Sequence, residues 1–255
     1  MRRRQLDQIQ WLEFELFADL PFLKHAIFLK HGGRSQGPYA SLNLGMHVAD
    51  SKEAVLANLE QIKAVFSQHN SSKRRLTWAK GCHGSSIAEV TAKSPSEIID
   101  HDALITTTAD HLIMTTHADC QVGLIVDPVR RVVANVHAGW RGNRENLYGK
   151  MIAYMKERYH SNPADLLMGI SPSLGPEYSE FRNFRQEWPE SFWKYQFKPL
   201  YFDLWKMAEE QCLEAGILPH HLEIARICTY CHPEDYFSYR QQSVTGRHGT
   251  CIMLT

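Results

Sequence analysis

Residues 111–139 read HLIMTTHADCQVGLIVDPVRRVVANVHAG. Three short runs of β-branched and apolar residues are separated by Ala118-Asp119-Cys120 and by Asp127-Pro128-Val129-Arg130, a pattern that predicts three consecutive strands. Asp at the first position and Pro at the second suit a type I turn that closes the last two runs into a hairpin. With Val126 opposite Arg131, Cys120 lies directly across from His137. Directly opposed side chains share one face with Cβ atoms about 4.5–5.5 Å apart. A slip of one residue would send the two to opposite faces, so the expectation is sharp.

Outward from this stretch the chain mixes strands and helices. AIFLK (26–30) reads as a strand entering the loop HGGRSQGPYASLNLG (31–45), where Gly32, Gly33, Gly37, Pro38 and Gly45 interrupt regular structure. A helix follows, with Asp50 and Ser51 as candidate N-caps and Val55, Leu56, Leu59, Ile62 and Val65 at the spacing of a buried stripe. Residues 142–159 read as one helix and 202–215 as another that ends at Gly216. ARICTY (225–230) and CIMLT (251–255) read as closing strands. No segment repeats or is low in complexity, so residues 1–255 are expected to form a single α/β domain.

Composition narrows the function classes. A chain of 255 residues with 44% hydrophobic content can bury a substantial core. Lys plus Arg and Asp plus Glu each total 28, which leaves no basic field to attract nucleic acid or acidic lipid, so any anion site is local. The start, MRRRQLDQIQWLEFELF, lacks the uninterrupted apolar segment of an export signal, and no run approaches the roughly 18 apolar residues of a membrane span. A cytoplasmic protein without membrane or nucleic-acid partners is expected. The six cysteines are widely spaced, which favours thiols over a disulfide framework. Cys228 and Cys231, in CTYC, have the spacing of a zinc knuckle or redox pair, but no second pair completes a four-thiolate site, and they read as structural thiols.

A thiolate opposite an imidazole suits zinc, with Zn–S about 2.3 Å and Zn–N about 2.0–2.1 Å. A third ligand is needed. His83 in KGCHGSS (80–86) leads, because a loop flanked by glycine lets the backbone approach a site closely, and His117, three residues before Cys120, competes. The same opposed pair without metal fits a cysteine hydrolase or deamidase in which His137 activates Cys120.

The motifs HGGRSQGPYASLNLGMHVAD, DALIT, HADCQVGLIVDP, VHAGWRGN, CTYCHPEDYFSYR and TGR, in that order from about residue 26 to the end, resemble the YfiH-like family, also called laccase-domain or polyphenol-oxidase. The resemblance implies a layered α/β/β/α sandwich and a zinc ion held by His83, Cys120 and His137. It implies phosphorolysis of adenosine, inosine, guanosine and methylthioadenosine, and deamination of adenosine. Copper is less favoured, because a multicopper oxidase needs several His-rich clusters and the chain has no His-x-His pair. The chain departs from the family pattern at Lys30, where arginine is usual, at Gly81-Cys82 and at Gln121-Val122. Those departures leave open a nucleoside-binding protein with a degenerate site.

The chemistry then assigns candidate roles. A three-ligand zinc site keeps one position open for water, and deamination also needs a proton-shuttling carboxylate, for which Asp119 competes with a role as turn partner. Phosphorolysis needs a held anion next to a developing positive charge on ribose. Lys30, Arg141 and Arg240 are the candidate holders, with Arg247 ranked below them. Asn43 fits a ribose or base contact or, equally, a turn residue bonding its own backbone. Trp140, Tyr236, Phe237 and Tyr239 fit purine stacking or the core.

Overall fold

In the computed structural model, which describes residues 1–67 and 74–255, the stretch 111–139 forms three strands, but they do not all lie in one sheet. In chain order the strands are β1 Arg2–Leu6, β2 Ile9–Glu13, β3 Leu23–Phe28, β4 Arg75–Lys80, β5 Ile87–Glu89, β6 Glu97–Ile99, β7 Ala103–Thr106 and β8 His111–His117. They continue as β9 Gln121–Asp127, β10 Val132–Ala138, β11 Leu167–Ile170, β12 Gln196–Lys198, β13 Tyr201–Phe202, β14 Leu222–Ile224 and β15 His248–Leu254. The helices are α1 Lys52–Phe66, α2 Trp140–Arg144, α3 Leu147–Tyr159, α4 Phe184–Glu187 and α5 Leu204–Glu214. One sheet runs β1-β2-β3-β15-β8-β4-β6 and the other β14-β11-β9-β10-β7-β5, while β12 and β13 pair apart.

The period-two alternation of strand side chains stacks these sheets. On β10, Val132, Ala134, Val136 and Ala138 pack on Leu147, Met151 and Met155 of α3 and Ala208 and Cys212 of α5. The opposite face contributes Val133, which joins Val122, Leu124 and Val126 of β9 against Ile27, Ile113 and Ile252 of the first sheet. Beyond it, Ala26, Phe28, Met114 and Met253 meet Val55, Leu59, Ile62 and Phe66 of α1. The layers therefore run helix, sheet, sheet, helix. Burial on both faces explains why β9 and β10 read as continuous apolar runs. One polar residue crosses the seam: buried Asn135 donates from Nδ2 to the carbonyls of Thr250 (2.7 Å) and Ile113 (3.3 Å) and accepts from Thr115 Oγ1 (2.6 Å).

Four details differ from the sequence reading. The β9–β10 register pairs Asp127 with Val132 and Val122 with His137, two residues away from the expected alignment. The four-residue loop is 128–131, with Arg131 at φ 57° and its N–H bonded to the Asp127 carbonyl. A type I turn over 127–130 is displaced because Asp127 Oδ1 accepts the amides of Val129 (2.9 Å) and Arg130 (2.8 Å), so Asp127 itself stays in the strand. The helix expected over 142–159 is two helices, parted where Asn146 takes φ 53° and caps α3 through Gly149 N–H (3.0 Å). ARICTY is not a strand: Arg226 at φ 49° turns the chain away after β14, and only Cys228 bridges to Ser173. The first expected strand stops at Phe28, because the Lys30 carbonyl accepts the amides of Ser41 and Leu42 instead of a strand partner.

Ser51 caps α1 as expected, accepting from Ala54 N–H (3.3 Å), and Asp203 caps α5 through Lys206 N–H (2.9 Å). Within the α1 stripe Leu56 is exposed, and buried Asn58 takes a place on the inner face.

Candidate metal centre

His137 lies near the end of β10, Cys120 immediately before β9, and His83 in the loop between β4 and β5. The two-residue change of register preserves parity, so Cys120 and His137 still face the layer between the sheets, now as a diagonal pair. Left-handed backbone at His83 (φ 59°) and at Asp119 (φ 79°) reverses the chain beside two of the three side chains. One ligand atom from each of His83, Cys120 and His137 lies within 4.8 Å of the others. The two imidazole rings meet edge to face with centroids 5.4 Å apart. Among the described residues this is the one such cluster of three or more donors.

Asp102, which has no solvent exposure, organises the cluster. Its Oδ1 lies 3.0 Å from His137 Nδ1, which leaves Nε2 to face Cys120. The same carboxylate accepts backbone N–H groups from Cys82 (3.1 Å), His83 (3.1 Å) and Gly84 (2.8 Å). One side chain thus orients one imidazole and pins the loop that carries the other. A carboxylate behind a ligating histidine is the usual partner that fixes tautomer and ring angle in metal sites. Asp102 opens the DALIT motif without an assigned role in the sequence reading; its one signal there is a charged residue leading an apolar strand.

Burial alone would raise the Asp102 carboxyl, but the hydrogen bond and charge of His137 and the amides of Gly84 and Cys82 outweigh it and hold it well below the usual carboxylate range. Burial likewise opposes ionisation of the Cys120 thiol, yet the imidazoles of His137 and His83 bring it down to about 6. For His137, burial works against the proton while Asp102 and Cys120 favour it, and the ring is raised to about 10. The result is a thiolate between two imidazoles with a carboxylate behind one of them. Gly139 gives the cluster its space: a Cβ there would stand 2.9 Å from His83 Cδ2 and 3.3 Å from Cys120 Sγ.

The cluster lines a cavity of about 470 Å³. Met46, Val48 and Trp78 supply apolar wall, and His47, Lys80, His101, Tyr239 and Arg247 supply polar wall. His47 Nε2 and Trp78 Nε1 both meet Glu97 Oε1, at 2.5 and 3.0 Å. Arg247 is braced by the carbonyls of Thr245 (2.8 Å) and Gly246 (3.0 Å). Sequence reasoning ranked Arg247 last among the anion holders and missed Lys80 and His101.

Several other expected site residues are engaged elsewhere. Asp119 does not line the cavity: its oxygens accept from Thr229 Oγ1 (2.7 Å) and Arg240 N–H (2.6 Å), so it serves as the turn partner. Asn43, fully buried, accepts from Gly45 and Arg247 amides and donates to Asp50, which makes it a turn residue. The Lys30 ammonium is bonded to the Pro233 carbonyl. Exposed Arg141 lies over the Trp140 ring, and exposed Arg240 reaches the Glu180 carbonyl (3.1 Å). None of these residues lines the cavity. His117 is a satisfied core histidine between the Cys120 carbonyl and Thr250 Oγ1. Trp140 packs with Phe181 and Trp188, and Tyr236 and Phe237 are buried, leaving Tyr239 as the cavity aromatic of that segment.

Residues 24–255 match the family described as multi-copper polyphenol oxidoreductase laccase. A Geobacillus stearothermophilus protein named purine nucleoside phosphorylase YlmD is 30% identical over 236 residues, spanning 86% of this chain and 85% of that protein. Purine nucleoside phosphorylase YfiH of Escherichia coli is 28% identical over 231 residues, spanning 88% and 90%. Among solved structures, YlmD from Geobacillus stearothermophilus superposes with TM-score 0.85 at 27% identity, covering 98% of this chain and 97% of that one. A Bacillus licheniformis hypothetical protein, YfiH, superposes with TM-score 0.86 at 25% identity over 99% of both chains.

Proposed function

The chain belongs to the family described as multi-copper polyphenol oxidoreductase laccase, and on that premise we propose that it is a zinc-dependent purine nucleoside enzyme. Its reactions are phosphorolysis of adenosine, inosine, guanosine and methylthioadenosine, and deamination of adenosine. The observation that carries this reading is the convergence of His83, Cys120 and His137 on the wall of a cavity of about 470 Å³, a size suited to a small molecule. The names borne by the similar proteins supply the substrate class.

One thiolate and two imidazoles form a donor set that zinc accepts, and a multicopper site would need several such clusters. Zinc held there supplies a Lewis acid able to polarise an oxygen or to activate water near neutral pH. Asp102 keeps the His137 ring turned toward Cys120 and the loop 82–84 fixed, so the donors are preorganised. Trp78 and Met46 offer a flat apolar wall to the purine. Arg247 is the first choice to hold phosphate, and Lys80 adds positive charge on the same cavity. Deamination needs a proton carrier within reach of the base, and the imidazoles of His101 and His47 on the cavity wall are candidates for it in place of Asp119.

Purified protein incubated with inosine and phosphate is expected to yield hypoxanthine and ribose 1-phosphate, and Cys120→Ala to abolish both. Persistent turnover in that variant would overturn the reading.

A second reading draws on a specific arrangement. Cys120, His137 and Asp102 stand in the order of nucleophile, base and orienting carboxylate, with the thiol brought down to about 6. That is the geometry of a metal-free cysteine hydrolase. His83 favours the metal, because a second imidazole on the same sulfur is surplus to a triad. Elemental analysis separates the two: stoichiometric zinc lost together with activity supports the first, and active metal-free protein inactivated by alkylation at Cys120 supports the second.

A further inference from the structure

Cys228 and Cys231 take no part in the chemistry above, yet they are held together. Cys231 N–H donates to the Cys228 carbonyl at 3.2 Å, closing a turn. A four-residue turn keeps its end Cα atoms within about 7 Å, close to the span a disulfide bridges. Cys228 and Tyr178 are side-chain neighbours that act on the Cys231 thiol. Gly175 N–H donates to Cys228 Sγ at 3.3 Å. The rings of Tyr178 and Tyr230 stack with centroids 4.1 Å apart and brace the middle of the turn. Cys231 is exposed and Cys228 half-buried, unlike the core thiols Cys212 and Cys251.

We infer that Cys228 and Cys231 form a reversible dithiol–disulfide site that exchanges with low-molecular-weight disulfides. Burial and the neighbouring Cys228 push the accessible Cys231 thiol up to about 11, so it reacts through a small thiolate fraction: it loses its proton to solvent, attacks one sulfur of the incoming disulfide and expels the first thiolate. Cys228, once deprotonated, attacks the Cys231 sulfur, forms the intramolecular bond and expels the second thiolate. Two protein thiols are oxidised and one external disulfide is reduced to two thiols, so electrons and protons balance. The site adjoins the metal centre: Thr229, inside the turn, donates to Asp119 (2.7 Å), the residue before Cys120.

The test uses the whole purified protein, first reduced and then incubated with oxidised glutathione, followed by differential alkylation and peptide mass spectrometry. The expected product is a peptide containing both cysteines that is lighter by two hydrogens and is restored by dithiothreitol. Cys231→Ser, a change at an exposed position whose fold is checked by circular dichroism, is expected to yield no internal bond and at most a glutathione adduct at Cys228. The inference is overturned if both thiols stay alkylatable at every glutathione ratio, or if wild-type protein stops at the mixed disulfide. It is also overturned if the pair binds a second zinc equivalent that Cys231→Ser loses. None of these readouts depends on nucleoside turnover, so the failure of one reading is distinguishable from the failure of the other.

Discussion

Replacing Asp102 with Asn keeps the side chain's size and removes the charge that faces the His137 ring and three amides. Metal affinity is expected to fall about 10–100-fold with the fold intact, read by competition with a chelator. Unchanged affinity would show that the carboxylate does not support the centre. For the anion, Arg247→Ala is expected to raise the KM for phosphate about tenfold or more, since a hydrogen bond to a charged group is worth about 1.5–3 kcal/mol, and Arg141→Ala to stay near wild type. The reverse result would return the anion to the exposed arginine. At this scale the sequence was informative where spacing constrained it. Cys120 and His137 followed from strand parity, whereas His83 owed its place to the family motif. For Asn43 and Asp119 the sequence left a turn role beside the site role, because the backbone donors that claim a short polar side chain in a loop are not visible in sequence. Lys80 sits at a strand end and His101 in the loop between β6 and β7, where lysine and histidine are ordinary surface residues and carry no signal.

At the scale of elements, the β9–β10 hairpin depends on Asp127, a buried residue whose Oδ1 takes two loop amides. Asp127→Ala is expected to cost about 1.5–3 kcal/mol in chemical denaturation, and a loss below half that would assign the loop's stability to Arg131 stacked on Phe22. The strands themselves were legible from their apolar runs, and the turn was not. Its register depends on Arg131 adopting a left-handed backbone, which a non-glycine residue does without advertising it. Asn146 and Arg226 hid the break between α2 and α3 and the end of β14 in the same way. Faces survived the error because the register moved by two residues.

Across the whole molecule, the residue pattern alone indicated a mixed α/β chain and the layered sandwich came from the family resemblance, while the assignment of β8 to one sheet and β9 to the other was invisible, since both read as buried strands. Three neutral histidines hold that architecture from inside. Burial brings His25 and His248 down to about 4 and holds His117 well below its ordinary value. His25 accepts the Phe14 amide and His248 the Phe237 amide. Below the ordinary value near 6.5 the unfolded chain binds protons that the folded chain refuses, so stability is complete above that pH and declines as pH falls toward 4. Each of His25 and His248 accounts for about 3 kcal/mol of that loss as pH falls from 6.5 to about 4. Urea titrations from pH 7 to 4 should show the decline, and His25→Gln should remove up to about 1.4 kcal/mol per pH unit from its slope; an unchanged slope would place the protons elsewhere. Asn135 has a consequence for how the chain finds this state. Its amide is satisfied only when Thr250, Ile113 and Thr115 of the facing sheet stand at their native positions. A collapsed intermediate with the sheets docked one residue pair out of step would strand that amide in a dry layer, at about 1–3 kcal/mol, so the apolar seam supplies the attraction and one asparagine proofreads the alignment.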